Sequence, residues 1–160
     1  MNKSQLIKTI CNELEAVHQG AVSAAQRAYD TATDEANEAE NKYDTLGLEA
    51  SYLAHGQSKR VLECEADLIA FKKLPLTTFD NKSTVTTGAL VGIEDIKGSE
   101  QFIFLSPVAG GLKINWQNKE ITLVTPVSPL GKALMAQVVD DEIEVIIQSQ
   151  KKQFQITSIF

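Results

Sequence analysis

Apolar residues in the first part of the chain recur every three or four positions. Leu6, Ile10, Leu14, Val17, Ala21, Ala25, Ala28, Ala32, Ala36, Ala39 and Tyr43 follow one another at those spacings without a break. This is the stripe of a nearly straight α-helix, with ~3.67 residues per turn. A helix of about 40 residues would extend roughly 60 Å, and a single stripe of that length needs a partner to be buried. The chain supplies one. After Gly47 a second helical stretch carries Leu48, Tyr52, Leu53, Val61, Leu62, Cys64, Leu68, Ile69 and Phe71 up to Leu74. Asp44-Thr45-Leu46-Gly47 combines a helix-breaking glycine with two N-cap candidates and is the predicted reversal. The expected result is an antiparallel helical hairpin with coiled-coil character. Its stripe is large near the base and alanine from position 21 to 39, so the outer half should be slender.

Beyond Pro75 the pattern changes. All four prolines and six of the nine glycines lie there, which places a domain boundary near Leu74-Pro75 and gives domains 1–74 and 75–160. Strands are predicted at Gln101–Ser106, Glu120–Thr125, Glu142–Gln148 and Gln153–Ile159. Another spans Leu112–Trp116, where Leu112, Ile114 and Trp116 alternate with Lys113 and Asn115, and an earlier one is expected within Thr87–Gly92. Turns are expected at Gln117-Asn118-Lys119 and Asp140-Asp141, and the last strand is expected to begin after Lys151-Lys152. Ser128 as N-cap and Pro129 in the first turn open a short helix, Leu130–Gln137. Six strands and one short helix make this half a compact α+β domain.

Composition adds limits. The chain has 160 residues, 43% hydrophobic and 22% charged, which suits a folded globular protein. No apolar run reaches the ~20 residues of a membrane helix, and no hydrophobic signal core follows Met1, so a cytoplasmic protein is expected. Cys11 and Cys64 fall on different helical stretches and are expected to be reduced. The formal net charge of −6 disfavours nonspecific nucleic-acid or membrane binding. Its distribution is uneven: residues 30–49 hold Asp30, Asp34, Glu35, Glu38, Glu40, Asp44 and Glu49 against Lys42 alone, so the whole excess sits in that stretch. An acidic tip is therefore expected near 40–49.

Motifs for self-contained catalysis are missing. The sequence has no phosphate-binding glycine loop, no Cys-x-x-Cys and no His-Glu-x-x-His. His55, four residues from Ser51, has no third group to complete a nucleophilic site. The tip carboxylates are the remaining candidates: such a cluster either helps to bind Mg²⁺, which takes one or two protein carboxylates and keeps waters, or solvates an alanine-rich arm.

The two halves together resemble the Gre family of bacterial transcript-cleavage factors. Val127-Ser128-Pro129-Leu130-Gly131-Lys132-Ala133-Leu134 is similar to the family's Ser-Pro-apolar-x-x-Ala-Leu helix, and Asp140-Asp141-Glu142-Ile143-Glu144-Val145 to its Gly/Asp-Asp-x-apolar-x-Val strand. Glu49-Ala50-Ser51-Tyr52 is similar to the Asn-Ala-Glu-Tyr that opens the family's second helix. The resemblance implies an FKBP-like C-terminal domain with a curved antiparallel sheet that docks on RNA polymerase core. It also implies a coiled coil that enters the polymerase secondary channel. Asp44, Glu49 and Glu40 would then share a Mg²⁺ with the polymerase, no cofactor being tightly bound. Arg27, Lys59 and Arg60 would form a basic patch near the nascent RNA 3′ end, and Ser128, Pro129 and Leu130 would dock. Neither membrane binding nor sequence-specific DNA binding is implied. The tip departs from the family's Asp-x-x-Glu-Asn, because anchoring on Tyr52 places Thr45 and Leu48 at its acidic positions. Channel binding is thus better supported than stimulation of transcript cleavage.

The expected protein is not an enzyme itself, though it would act on the polymerase's own RNA hydrolysis. Two alternatives come from other classes. An FKBP-like prolyl isomerase needs a concave aromatic pocket, for which Phe79, Phe102, Phe104, Trp116, Phe154 and Phe160 would have to serve while also building a core. A coiled-coil adaptor would need no polymerase at all. For the basic patch, pairing of Arg27 and Arg60 with acids such as Asp30 and Glu63 at helical spacing is an equal reading.

Overall fold

The computed structural model describes residues 2–34, 45–80, 82–147 and 149–160. The chain forms two compact units, Met1–Ile10 with Ala70–Phe160, and Cys11–Ile69. The division falls at different residues from the proline boundary, because the first turns of the N-terminal helix belong with the C-terminal sheet.

In the helical unit, α1 spans Lys3–Thr33 and α2 spans Leu46–Lys72, each continuing beyond the unit. Expected stripe positions Ala36, Ala39 and Tyr43 lie outside the described residues, as does Asp44. The expected reversal is corrected at its other end: Leu46 and Gly47 are in the first turn of α2. The Thr45 carbonyl accepts from the Glu49 amide at 2.8 Å, so the helix has already begun. Along α1, Leu14 and Ala28 are buried and Ala21, Ala25 and Ala32 half-buried, while Val17 is exposed. Leu14 and Ala28 of α1 and Ala50 and Cys64 of α2 are all buried.

The apolar residues of α2 divide between two opposite faces. Gly47, Ala50, Ala54, Gln57, Val61, Cys64, Leu68 and Phe71, spaced alternately by three and four, are all buried or half-buried. Leu48, Tyr52, Leu53, Leu62 and Ile69 are exposed. The inner face is small toward Gly47 and larger toward Phe71. Ala28 on α1 is 6% exposed, so Ala28→Leu must force its surroundings apart and is expected to destabilise by about 1–3 kcal/mol in urea unfolding. An increase in stability would mean that the site is open.

In the sheet unit, β1 (Leu90–Asp95), β2 (Glu100–Leu105), β3 (Lys113–Trp116), β4 (Lys119–Val124), β5 (Glu142–Ile147) and β6 (Gln150–Ile159) form one sheet. Their order is β3-β4-β2-β1-β6-β5, and the short helix α3 (Pro129–Leu134) lies between β4 and β5 in sequence. The expected antiparallel sheet is corrected to a mixed one, since β2 pairs with β4 in parallel. After β2 the chain passes over one strand position to lay down β3 and then turns back, so β4 fills the gap running the same way as β2. Gln117 and Asn118 make that turn with φ of 51° and 61°, the left-handed pair of a tight hairpin. Lys151 and Lys152 do not precede the last strand but lie in β6, opposite Ile146 and Val145. Strand alternation sends Val91, Ile103, Leu105, Val145 and Ile156 to a core completed by Leu134 of α3. On the other face Phe104 meets Phe71, the ring centroids 5.9 Å apart.

Lys3 ties the start of α1 into this unit. Its Nζ donates to the Thr77 carbonyl at 2.7 Å and the Phe160 carbonyl at 3.4 Å, and lies 3.9 Å from the centre of the Phe79 ring. Partial burial outweighs these contacts and pushes the amine down from 10.5 to about 8. Between those two values the unfolded chain holds a proton that the folded protein has released, so stability rises with pH across that window. Lys3→Met should remove the rise, which a comparison of urea midpoints at pH 7.5 and 10.5 would read. The effect is modest, because the side chain stays partly in water.

Candidate functional site

The sequence between β4 and β5 produces the most completely specified local structure in the chain. Ser128 is extended (φ −71°, ψ 157°) and its Oγ accepts from the Gly131 amide at 3.1 Å, which satisfies a first-turn donor. The same hydroxyl donates to the Thr125 carbonyl at 2.8 Å. Pro129 follows, where its missing N–H costs nothing. Gly131 and Leu134 are buried and Leu130 is half-buried against the core, whereas Val127, Pro129 and Lys132 face solvent. Of the three expected docking residues, Ser128 caps the helix and Leu130 packs the core, leaving Pro129 as the exposed one. Val127, 77% exposed, enlarges that apolar surface.

The helix ends earlier than expected, at Leu134. Met135 is extended (φ −58°, ψ 135°) and Ala136 is left-handed (φ 63°), a combination that no helix continues through. Asp140 is also left-handed, with φ 74°. This explains why the motif takes glycine or aspartate there, since larger L-residues are disfavoured in that region. The Asp141 Oδ2 then accepts from the Val138 amide at 2.8 Å, and Ile143 and Val145 enter the core.

At the acidic end, Glu49 is the one expected metal residue within the described part; Glu40 and Asp44 lie outside it. Glu49 is exposed on the first turn of α2, and its Oε1 accepts from the Thr45 hydroxyl at 2.8 Å. A carboxylate there complements the helix dipole. Its second oxygen keeps lone pairs open to solvent. Among the described residues there is no group of three His, Cys, Asp or Glu side chains able to hold a metal.

Arg27, Lys59 and Arg60 are all exposed. Arg60 pairs with Glu63 one turn away, at 3.6 Å, which is the local pairing that its spacing allows. His55 is exposed, and Ser51 Oγ donates to the Gly47 carbonyl at 2.9 Å. Asp80 and Asp95 have carboxyls held below the usual range, Asp80 mainly by the Ser83 hydroxyl and Asp95 by the Ser99 and Lys97 amides. Both carboxylates close local turns. Among the described residues no helix is long and apolar enough to cross a membrane.

No family model matches the chain, and no curated protein matches it significantly. Solved structures do. The GreA factor homolog 1 (Gfh1) protein of Thermus thermophilus is 18% identical over 94% of each chain, with a TM-score of 0.39. Thermus aquaticus Gfh1 is 19% identical over 92% of each chain, with a TM-score of 0.40. A prokaryotic transcription elongation factor GreA/GreB from Nitrosomonas europaea is 14% identical, covering 70% of this chain and 91% of that one, with a TM-score of 0.38. These likenesses are distant.

Proposed function

We propose that this protein is a transcription elongation factor that binds RNA polymerase core. In this reading the helical unit reaches the active site through the secondary channel, and the FKBP-like sheet unit docks outside it. The observation that carries the reading is the 127–145 stretch. The residues that make it similar to the Gre motif each have a physical task there: Ser128 as cap, Pro129 at the first turn, Leu130 and Ala133 against the core, Leu134 buried, Asp140 left-handed, Asp141 accepting from the Val138 amide, Ile143 and Val145 inward.

The protein has no chemistry of its own in this reading. Glu49 with Asp44 and Glu40 would supply carboxylate oxygens to a Mg²⁺ that the polymerase also holds, and the ion would supply the Lewis acidity. Thr45 would orient Glu49 by its hydroxyl bond. Cytoplasmic location follows from such a partner. The test is retention of purified core RNA polymerase by the immobilised full-length protein, with an unrelated acidic protein as control. Retention above the control is expected. Retention equal to the control ends the proposal.

A further inference from the structure

Seven residues of α2 form a second stripe that none of the described residues buries. Leu48, Tyr52, His55, Lys59, Leu62, Ala66 and Ile69 alternate at spacings of four and three, and all seven are exposed. The four large apolar members are far from buried: Leu48 is 58% exposed, Tyr52 71%, Leu62 66% and Ile69 48%. A strict mean period of 3.5 residues is the repeat of a coiled-coil seam, and a surface helix with its apolar face already buried has no need of a second one. The stripe runs for three heptads, ~33 Å of helix.

Its surroundings indicate what would cover it. On a heptad register with Leu48, His55, Leu62 and Ile69 at one core position and Tyr52, Lys59 and Ala66 at the other, the flanking positions hold Glu49, Glu63 and Glu65 against Lys72. Glu63 is already engaged by Arg60. A second copy of this chain is a poor occupant. Parallel pairing sets Lys59 on Lys59 and His55 on His55, and antiparallel pairing sets His55 on Lys59 and leaves acids facing acids along the flanks.

We infer that the outward stripe of α2, Leu48 to Ile69, is a docking seam for an amphipathic helix of another protein, with basic residues at its flanks and an acid opposite Lys59. Its apolar residues would bury Leu48, Tyr52, Leu62 and Ile69, and its flanking bases would meet Glu49 and Glu65. The seam does not rest on the polymerase reading, and a helix seated on it would take Glu49 away from a shared ion.

The probe is a synthetic four-heptad helix with leucine in the core positions, one central glutamate there, and lysine at the flanks. Its binding to the full-length protein is followed by fluorescence anisotropy at low and high salt. A second peptide of the same composition but scrambled order is the control. Binding of the ordered peptide alone, weakened by salt and reduced at least about tenfold by Leu62→Ser, is expected. Leu62→Ser should leave the circular dichroism and melting of the free protein unchanged, since the side chain is exposed. Equal binding of the scrambled peptide, or no effect of Leu62→Ser, would show charge attraction alone and overturn the seam. Failure of the ordered peptide to bind would do the same. A sedimentation shift to a dimer that Leu62→Ser abolishes would assign the stripe to a second copy and overturn the proposed partner.

Discussion

Gly131→Ala is expected to lose about 2–3 kcal/mol of stability, although it places a good helix former in a helix. The Thr125 carbonyl accepts from both the Ser128 amide, at 3.0 Å, and the Ser128 hydroxyl, at 2.8 Å, and so lies directly beneath the first turn of α3. A Cβ on Gly131 would overlap that carbonyl oxygen, with the Thr125 carbonyl carbon at 2.8 Å and Pro126 Cα at 3.1 Å. These are backbone atoms and cannot rotate away. The contact that anchors the cap is thus the one that excludes a methyl group. A fall in melting temperature on the order of 10 °C would follow for a unit of this size. A rise would mean that the turn relaxes and that glycine is not required by packing. Because α3 begins at Pro129 and follows closely on Val127, the same substitution should weaken any polymerase retention above its own melting point and leave it intact well below.

Asp44→Asn with Glu49→Gln is expected to abolish any effect of the protein on transcript elongation while changing its stability little. The side-chain amide that replaces the Glu49 carboxylate can still accept from the Thr45 hydroxyl, so the first turn of α2 keeps its bond and loses only the charge at the helix terminus. That charge contributes roughly 0.3–1 kcal/mol at an exposed site. The functional loss would be complete if carboxylates at this end act on a metal, because a neutral amide binds Mg²⁺ far less well than a carboxylate. The measurement is single-round elongation by core polymerase with wild-type and doubly substituted protein, alongside thermal melts of both. An elongation effect that survives the double substitution removes the tip from the mechanism and leaves only binding.

Much of the sheet unit is legible in the residues. The alternation of Ile114 and Trp116 with Lys113 and Asn115 is the burial pattern of β3, and Gln117-Asn118 is the turn that follows it. Ser128-Pro129 starts α3 within one residue of its expected position, as a cap is a local bond between neighbours. β1 is less legible: the expected strand, Thr87–Gly92, lies a few residues before the observed Leu90–Asp95. Glycines at 88 and 92 obscure its alternation. The end of α3 is missed because Met135, Ala136 and Gln137 are good helix formers whose φ and ψ are set by bonds to a distant loop. The Ala136 amide donates to the Val85 carbonyl at 2.9 Å, and the Val85 amide to the Gln137 carbonyl at 2.8 Å. Two such bonds outweigh a weak propensity.

At the candidate site, the exposure of Pro129 and Val127 follows from burying Gly131 and Leu134 on the other side of one short helix. Sequence spacing alone does not distinguish a capping Ser128 from a docking one. The outward stripe of α2 could have been found from the sequence, since its 3.5-residue repeat is plain once Leu48, Tyr52 and Leu62 are separated from Val61, Cys64 and Leu68. Treating the apolar residues of α2 as one set conceals it.

By itself the sequence determines what neighbours along the chain decide: the two long helices, the Ser128 cap, the turns at Gln117-Asn118 and Asp140-Asp141, and the crowding of acids between residues 30 and 49. Those features rest on bonds and steric limits within a few residues. The tertiary structure alone decides the parallel pairing of β2 with β4, the grouping of Met1–Ile10 with the sheet, and which face of α2 turns inward. In the first half of α2 the choice runs against hydrophobicity, since Gly47, Ala50, Ala54 and Gln57 turn inward while Leu48 and Tyr52 remain outside; farther on Val61, Cys64, Leu68 and Phe71 turn inward. Which face is buried depends on the surface packed against it, which no spacing within one helix encodes.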